Sequence, residues 1–385
     1  MSDPRFGFLA EKLNRLRETQ SLRLLRPFRH EGRILIDTQQ RRLINFGSND
    51  YLGLAQFVAS TTDLRSGAGA SALVTGYTTL HDDLCDKLAA FEQSEAAVLF
   101  PSGFAACSGV VATLAEENDL LLSDQLNHAS LIDGCRLSRA TRFVYPHRDA
   151  GAVSELLRTH RHKFARAWIV TDGVFGMDGD VAPLNELCSV AERFDAHVIV
   201  DEAHATGVLG EDGSGACAEM GVKDKVAIRI GTLSKAIGAH GGFVVGPQVV
   251  IDYLVNHCRT LIFSTAASPL TIAAAIAGLD AIQSDPERRL MVRSLAKQLR
   301  ERLRALSPTC VPPTQISEVP IVPFIVGSND RALRISERLY QQGFLVPAIR
   351  PPTVPEGTAR LRISLTSSHV MEDVDNLLDA LRSAV

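Results

Sequence analysis

Cysteine is sparse in this 385-residue chain. The seven residues, Cys85, Cys107, Cys135, Cys188, Cys217, Cys258 and Cys310, are scattered and odd in number, and none forms a C-x-x-C pair. That excludes a disulfide framework and a zinc ribbon, and reads as buried, reduced thiols. Cys107 follows a glycine-containing turn and reads as near a site rather than part of one. An excess of one charge is also lacking: 40 Lys and Arg face 44 Asp and Glu, for a net charge of −4. No global field draws nucleic acid or anionic membrane, although a local basic pocket for an anionic small molecule remains open. A secretory leader is not expected, because residues 1–33 carry eight basic and four acidic side chains. The acids also argue against a transit peptide.

Long apolar runs are almost absent. Thr260 to Leu279 carries no charge and is long enough to span a bilayer, but Ser264, Thr265, Ser268, Pro269 and Thr271 crowd its first half. Unsatisfied polar groups there are costly in lipid, so the stretch reads as a polar loop followed by a buried helix over 269–281. What remains is ordinary globular usage, 45% hydrophobic and 22% charged. A soluble, cytoplasmic protein with a large core is expected.

Along the chain, apolar spacing through Phe8, Leu9, Leu13, Leu16 and Leu24 predicts a helix over 5–26, stopped by Pro27. A small hairpin follows within 33–46. From 81 to 250, short Val/Ile/Leu runs alternate with helical patterns. Strands are predicted at 96–100, 119–122, 167–171, 197–201, 227–230 and 242–246. Such runs, separated by helices, imply an α/β domain with a mainly parallel sheet covered on both faces. A C-terminal α+β unit follows the proline-rich stretch at 308–313. The expected division is an N-terminal arm (1–46), a large domain (47–284) and a small domain (285–385).

Two glycine-rich stretches, Gly67 to Ala72 and Gly213 to Ala218, fit a loose dinucleotide-binding pattern. Neither follows an apolar strand, so neither has the strand–turn–helix context that gives the motif its physical reason. Asp172, Asp178 and Asp180 match no calcium-loop spacing and read as turn and cap residues; no metal is expected. The informative trio is Asp201, closing the run Val198 to Val200, His204 three residues on, and Lys235 just past the next strand. In a parallel sheet these positions converge at the carboxyl ends of the strands. An Asp, a His and a Lys there suit pyridoxal 5′-phosphate: lysine for the Schiff base, aspartate for the pyridine nitrogen, histidine for the phenolic oxygen. An ordinary ion pair at a sheet edge is the alternative these three residues alone leave open.

Seven motifs in order carry a resemblance. They are Asn49-Asp-Tyr-Leu-Gly-Leu54, Pro101-Ser-Gly-Phe-Ala105, Leu126-Asn-His-Ala-Ser-Leu131, Asp172-Gly-Val-Phe175, Met177-Asp-Gly-Asp180, Asp201-Glu-Ala-His204 and Thr232-Leu-Ser-Lys-Ala236. Over nearly its whole length the chain resembles the α-oxoamine synthase family of fold type I pyridoxal-phosphate enzymes. The tail from Arg350 to Arg362 is most similar to the branch that serves biotin synthesis.

The resemblance implies an acyltransferase that condenses L-alanine with a pimeloyl thioester, with loss of carbon dioxide. Relatives using glycine or serine with another acyl thioester, and a cofactor-binding protein without turnover, are the alternatives. It implies Lys235 on the cofactor's aldehyde, Asp201 on the pyridine nitrogen, His204 on the phenolic oxygen and His128 stacked on the ring. Ser102, Gly103 and Phe104 would hold the phosphate at a helix start, and Thr232 would support the phosphate or the lysine. Ser264 and Thr265 would reach the phosphate from the partner subunit of a homodimer. Arg362 would meet the amino acid carboxylate, with Arg350 beside it, and Arg23 would face the acyl substrate. The chain departs from the pattern at Gly176, where many members have Ser, at Ala205 for Gly, at Cys107 for Asn, and in a short segment from Gln56 to Leu64.

Overall fold

A computed structural model describes residues 4–56, 64–316 and 318–384. Most of the shortened segment, residues 57–63, lies outside the described residues. The contacts divide the chain into two compact units rather than three segments. One is Asn49–Arg293 with Thr314–Val319; the other is Met1–Ser48, Ser294–Pro313 and Pro320–Val385.

The larger unit is built on a seven-stranded sheet. Its strands are β1 (Ala96–Phe100), β2 (Asp119–Asp124), β3 (Thr141–Tyr145), β4 (Arg166–Asp172), β5 (His197–Asp201), β6 (Ile228–Thr232) and β7 (Gly242–Gly246). Their spatial order is β1-β7-β6-β5-β4-β2-β3. Strands β1 to β6 run one way, and only β7, between β1 and β6, runs against its neighbours. Leu121, Val170, Ile199, Val200 and Ile230 are fully buried, as expected where helices cover both faces and strands need no polar side. Strand β3 has no such run. It is one of the two edge strands, with Thr141, Arg142 and Val144 exposed and only Tyr145 buried, and its apolar run is too short to mark a strand.

Helix Pro269–Ser284 starts where the uncharged stretch changes character. Ser268 caps it by accepting the Thr271 N–H at 3.2 Å, and proline occupies its first turn. Among the described residues, no helix is long and apolar enough to cross a membrane.

In the smaller unit, strands Arg29–Glu31, Ile34–Ile36 and Arg42–Asn45 form an antiparallel sheet, and Phe344–Leu345 adds to its edge in parallel. A second sheet pairs Ile321–Gly327, Ala359–Ser364 and Ala348–Ile349, all antiparallel. Helices Asn329–Gln341 and Met371–Ala384 pack in the same unit. The N-terminal helix is shorter than its spacing predicted. It spans Gly7–Glu18 and ends because Gln20 takes a left-handed conformation, φ 55°, well before Pro27. Leu24 therefore lies outside it.

Candidate active site

Every parallel strand of the large sheet ends on one edge, where Ser102 to Phe104, His128, Asp201, His204, Thr232 and Lys235 lie. Strand β1 runs into Ser102, the N-cap of helix Gly103–Leu114, whose hydroxyl accepts the Ala105 N–H at 3.1 Å. The N–H groups of Gly103 and Phe104 are thus at the open end of a helix, where no backbone carbonyl precedes them to accept. Gly242 pairs with Phe100 on one side and Thr232 on the other, which sets the ends of β1 and β6 together. A Cβ at Gly242 would lie 2.5 Å from the Ser102 carbonyl oxygen, so only glycine lets this loop close down on the sheet. Thr232 donates to the Gly241 carbonyl at 2.9 Å. The turn beyond it presents half-buried Lys235, and is tied by Leu233 N–H to Gly241 O (3.0 Å) and Gly238 N–H to Lys235 O (3.0 Å).

Asp201 closes β5 and is buried. Its Oδ1 accepts the Ala203 N–H at 2.8 Å, and its Oδ2 accepts the Cys107 S–H at 3.1 Å. Burial, and then the Asp201 charge, push the Cys107 thiol well up, so it stays protonated. Beside Asp201 in the register stands Asp172, the last residue of β4. Burial and the facing Asp201 push the Asp172 carboxyl well above the usual range. Its Oδ2 accepts the His128 N–H at 2.6 Å, while its own N–H donates to Asn127 at 3.0 Å.

His128 begins helix Ala129–Leu137. Its Nδ1 accepts the Ser130 N–H at 3.3 Å and lies 2.7 Å from the Ser130 hydroxyl, leaving Nε2 to carry the proton. Desolvation lowers its pKa, Asp201 opposes that and Lys235 adds to it. One loop later, His147 bridges Asp124 (2.9 Å) and Asp180 (2.8 Å). Burial works against its charge, but the two carboxylates win and raise it to about 9. Asp124 also accepts the Leu126 N–H at 2.8 Å, so this pair steadies the loop that carries His128.

His204 is buried, with Nδ1 2.7 Å from the Tyr51 hydroxyl. Its other nitrogen faces Gly176: a Cβ there would lie 2.5 Å from Nε2. The glycine is what allows the ring to sit where it does.

Matches to known proteins agree with this arrangement. A family model, aminotransferase class I and II, matches residues 41–381. The 8-amino-7-oxononanoate synthase 2 of Bacillus subtilis is 42% identical over 388 residues, 98% of this chain and 97% of that protein. The 8-amino-7-oxononanoate synthase of Marinobacter nauticus is 45% identical over 350 residues, 89% of this chain and 87% of its own length. The chain is an α-oxoamine synthase, within the class I and II aminotransferase family. Its fold is the fold type I transferase fold. A serine palmitoyltransferase from S. paucimobilis, solved with a bound PLP–myriocin aldimine, superposes with a TM-score of 0.91 at 25% identity, covering 100% of this chain and 98% of that one.

For an α-oxoamine synthase, two sequence readings need correcting. Asp172 is no turn or cap residue: it ends a central strand and holds the His128 loop. Cys107 is part of the site, through its bond to Asp201. Tyr51 lies in the Asn49 to Leu54 motif, and no spacing rule links it to His204. Lys235, Asp201, His204, His128, Thr232 and Ser102 to Phe104 all lie at one sheet edge of the larger unit. Ser264 and Thr265 belong to that unit and line a mostly apolar cavity of about 340 Å³ with Leu73, Tyr77 and Phe100. Ser264 donates to the Thr260 carbonyl at 2.7 Å, and Thr265 bridges to Ser71.

The arginines belong to the smaller unit. Arg23 and Arg350 line one cavity of about 560 Å³ there. Arg23 donates to Thr353 at 2.9 Å, and Arg350 donates to the Gln20 carbonyl. Burial and the neighbouring Arg23 lower the Arg350 pKa. Arg362 is buried in strand Ala359–Ser364 and donates to Ser364 at 2.6 Å.

The donor set of the larger unit fits pyridoxal phosphate. The open helix end, closed down by Gly242, suits a phosphate, and a buried carboxylate, an amine and two imidazoles stand at the same sheet edge.

Proposed function

We propose that this enzyme binds pyridoxal 5′-phosphate and condenses L-alanine with a pimeloyl thioester, releasing carbon dioxide and yielding 8-amino-7-oxononanoate, a step of biotin synthesis. The observation that carries the reading is the joining of Asp201, His204 and Lys235 at one sheet edge, in a chain 42% identical over 98% of its length to a synthase of that name. Bound there, the cofactor withdraws electron density from the amino acid α-carbon.

The chain's own residues do the rest. Asp201 holds the pyridine nitrogen, and His204, oriented by Tyr51, bonds the phenolic oxygen. His128 covers the ring with a neutral imidazole whose Nε2–H is free to bond the developing ketone. Ser102, Gly103, Phe104 and Thr232 bind phosphate. Lys235 would hold the cofactor at its aldehyde carbon, and its amine would move the α-proton of the substrate. Arg362, with Arg350 and Arg23, binds substrate carboxylates.

A homodimer, with Ser264 and Thr265 facing the partner's phosphate, is supported by exposed Leu73, Val74, Tyr77 and Phe263 on the larger unit. Sedimentation tests it. A cytoplasmic setting is supported by seven cysteines without a disulfide.

The assay is turnover of pimeloyl thioester, as coenzyme A or carrier-protein form, with L-alanine, glycine or L-serine. Alanine is expected to be preferred. The likeness to serine palmitoyltransferase favours serine as the second reading, and turnover with serine or glycine but not alanine establishes that reading instead. Bound cofactor without turnover of any pair marks a binding protein. Borohydride should fix the cofactor on Lys235, and Lys235→Ala should abolish both the fixation and activity.

A further inference from the structure

The thiol of Cys107 is fully enclosed and points at the carboxylate assigned to the cofactor nitrogen. It sits on helix Gly103–Leu114, the helix whose start is assigned to the phosphate, and reaches Asp201 Oδ2 at 3.1 Å. The other carboxylate oxygen is committed to the Ala203 N–H at 2.8 Å. Cys107 is 2% exposed and Asp201 4%, so solvent cannot make up the bond. Asp172, its neighbour in the register, accepts the His128 N–H on Oδ2, and no hydrogen bond joins it to Asp201.

We propose that Cys107 is a positioning residue that sets how strongly Asp201 can accept from the cofactor: a deliberately weak S–H donor holds Oδ2 in place without drawing off the charge that the pyridine nitrogen needs. The inference rests on Asp201 pairing with that nitrogen. A hydroxyl or amide donor at position 107 bonds a carboxylate more strongly and makes it a poorer acceptor. A side chain with no donor leaves the carboxylate a better acceptor. The two kinds of replacement therefore push in opposite directions, whereas a packing role has no such sign: serine and alanine are both smaller than cysteine and both loosen the core.

The test uses holoenzyme of the wild type, Cys107→Ser and Cys107→Ala, loaded with pyridoxal phosphate labelled with nitrogen-15 in the ring. Nitrogen NMR across pH reads the protonation of the ring nitrogen, and dialysis reads cofactor retention. The expected order of ring-nitrogen pKa is Ser, then Cys, then Ala, rising. The Ser variant should lose cofactor about threefold to tenfold faster than wild type. Shifts of the same sign in both variants, or none in either, overturn the proposal. Asp201→Asn is run alongside: if it leaves the ring nitrogen unchanged, the pairing of Asp201 with the cofactor fails. If it deprotonates the ring while the Cys107 variants stay silent, only the role of Cys107 falls.

Discussion

The Tyr51 hydroxyl lies 2.7 Å from Nδ1 of His204, joining a loop before the sheet to the residue that follows β5 across 153 positions of sequence. The phenol also lies 3.3 Å from Asn49 Oδ1, so the ring of His204 is fixed from a motif whose own backbone is elsewhere. Removing the hydroxyl by Tyr51→Phe leaves a buried imidazole nitrogen short of a partner. A loss of about 1–2 kcal/mol in stability is expected, with roughly a tenfold fall in kcat/KM, read by thermal unfolding and steady-state kinetics.

Gly176 acts on the same imidazole from the other side. A serine there brings its Cβ to 2.5 Å from Nε2, closer than side chains tolerate, so His204 must swing away. Gly176→Ser should lower kcat/KM roughly tenfold with a smaller effect on substrate KM. Combined with Tyr51→Phe it should lose less than the two single losses together, since both act through one ring. Full additivity in that double-mutant cycle would show that the two positions act separately.

Asp172 and Asp201 lie side by side in the strand register but are expected to answer differently to the same change. Burial and Asp201 hold the Asp172 carboxyl toward its neutral form, which an amide imitates, and the amide oxygen still accepts from the His128 N–H. Asp172→Asn should therefore stay within about tenfold of wild type in kcat. Asp201→Asn removes the charge itself and should cost roughly 100- to 1,000-fold, about 3–4 kcal/mol. Equal losses in the two variants would contradict this division of charge.

A pH effect on stability resides in the smaller unit. His369 stacks on Phe46 with centroids 4.4 Å apart, and its Nδ1 accepts the Thr366 N–H at 3.0 Å. Burial pushes its pKa from the usual 6.5 down to about 4. The unfolded chain therefore takes up a proton first as pH falls. The stabilisation is fully present above 6.5, declines from there and is exhausted near 4, a total of about 3 kcal/mol. Unfolding midpoints measured between pH 8 and 4 should fall less steeply for His369→Phe. That variant should also be about 1 kcal/mol weaker at neutral pH, because the Thr366 N–H loses its acceptor.

Most of the larger unit's sheet was legible because its strands are buried on both faces and are written as unbroken Val, Ile and Leu runs. Asp201, His204 and Lys235 were legible for the same reason, as polar residues placed just past such runs. Strand β3 was not, since its exposed residues leave only a short apolar run, and the early end of the N-terminal helix at Glu18 was not, because the left-handed Gln20 that follows leaves no mark in hydrophobic spacing.

What the sequence determined by itself was the alternation of strand and helix, and with it an edge where polar residues gather. The tertiary structure decided which of them touch. The bond of Cys107 to Asp201, the hold of Tyr51 and Gly176 on His204, and the place of Asp172 in a strand all join residues far apart in the chain. Local periodicity records which face of an element is buried; it holds no record of which remote side chain will meet it there.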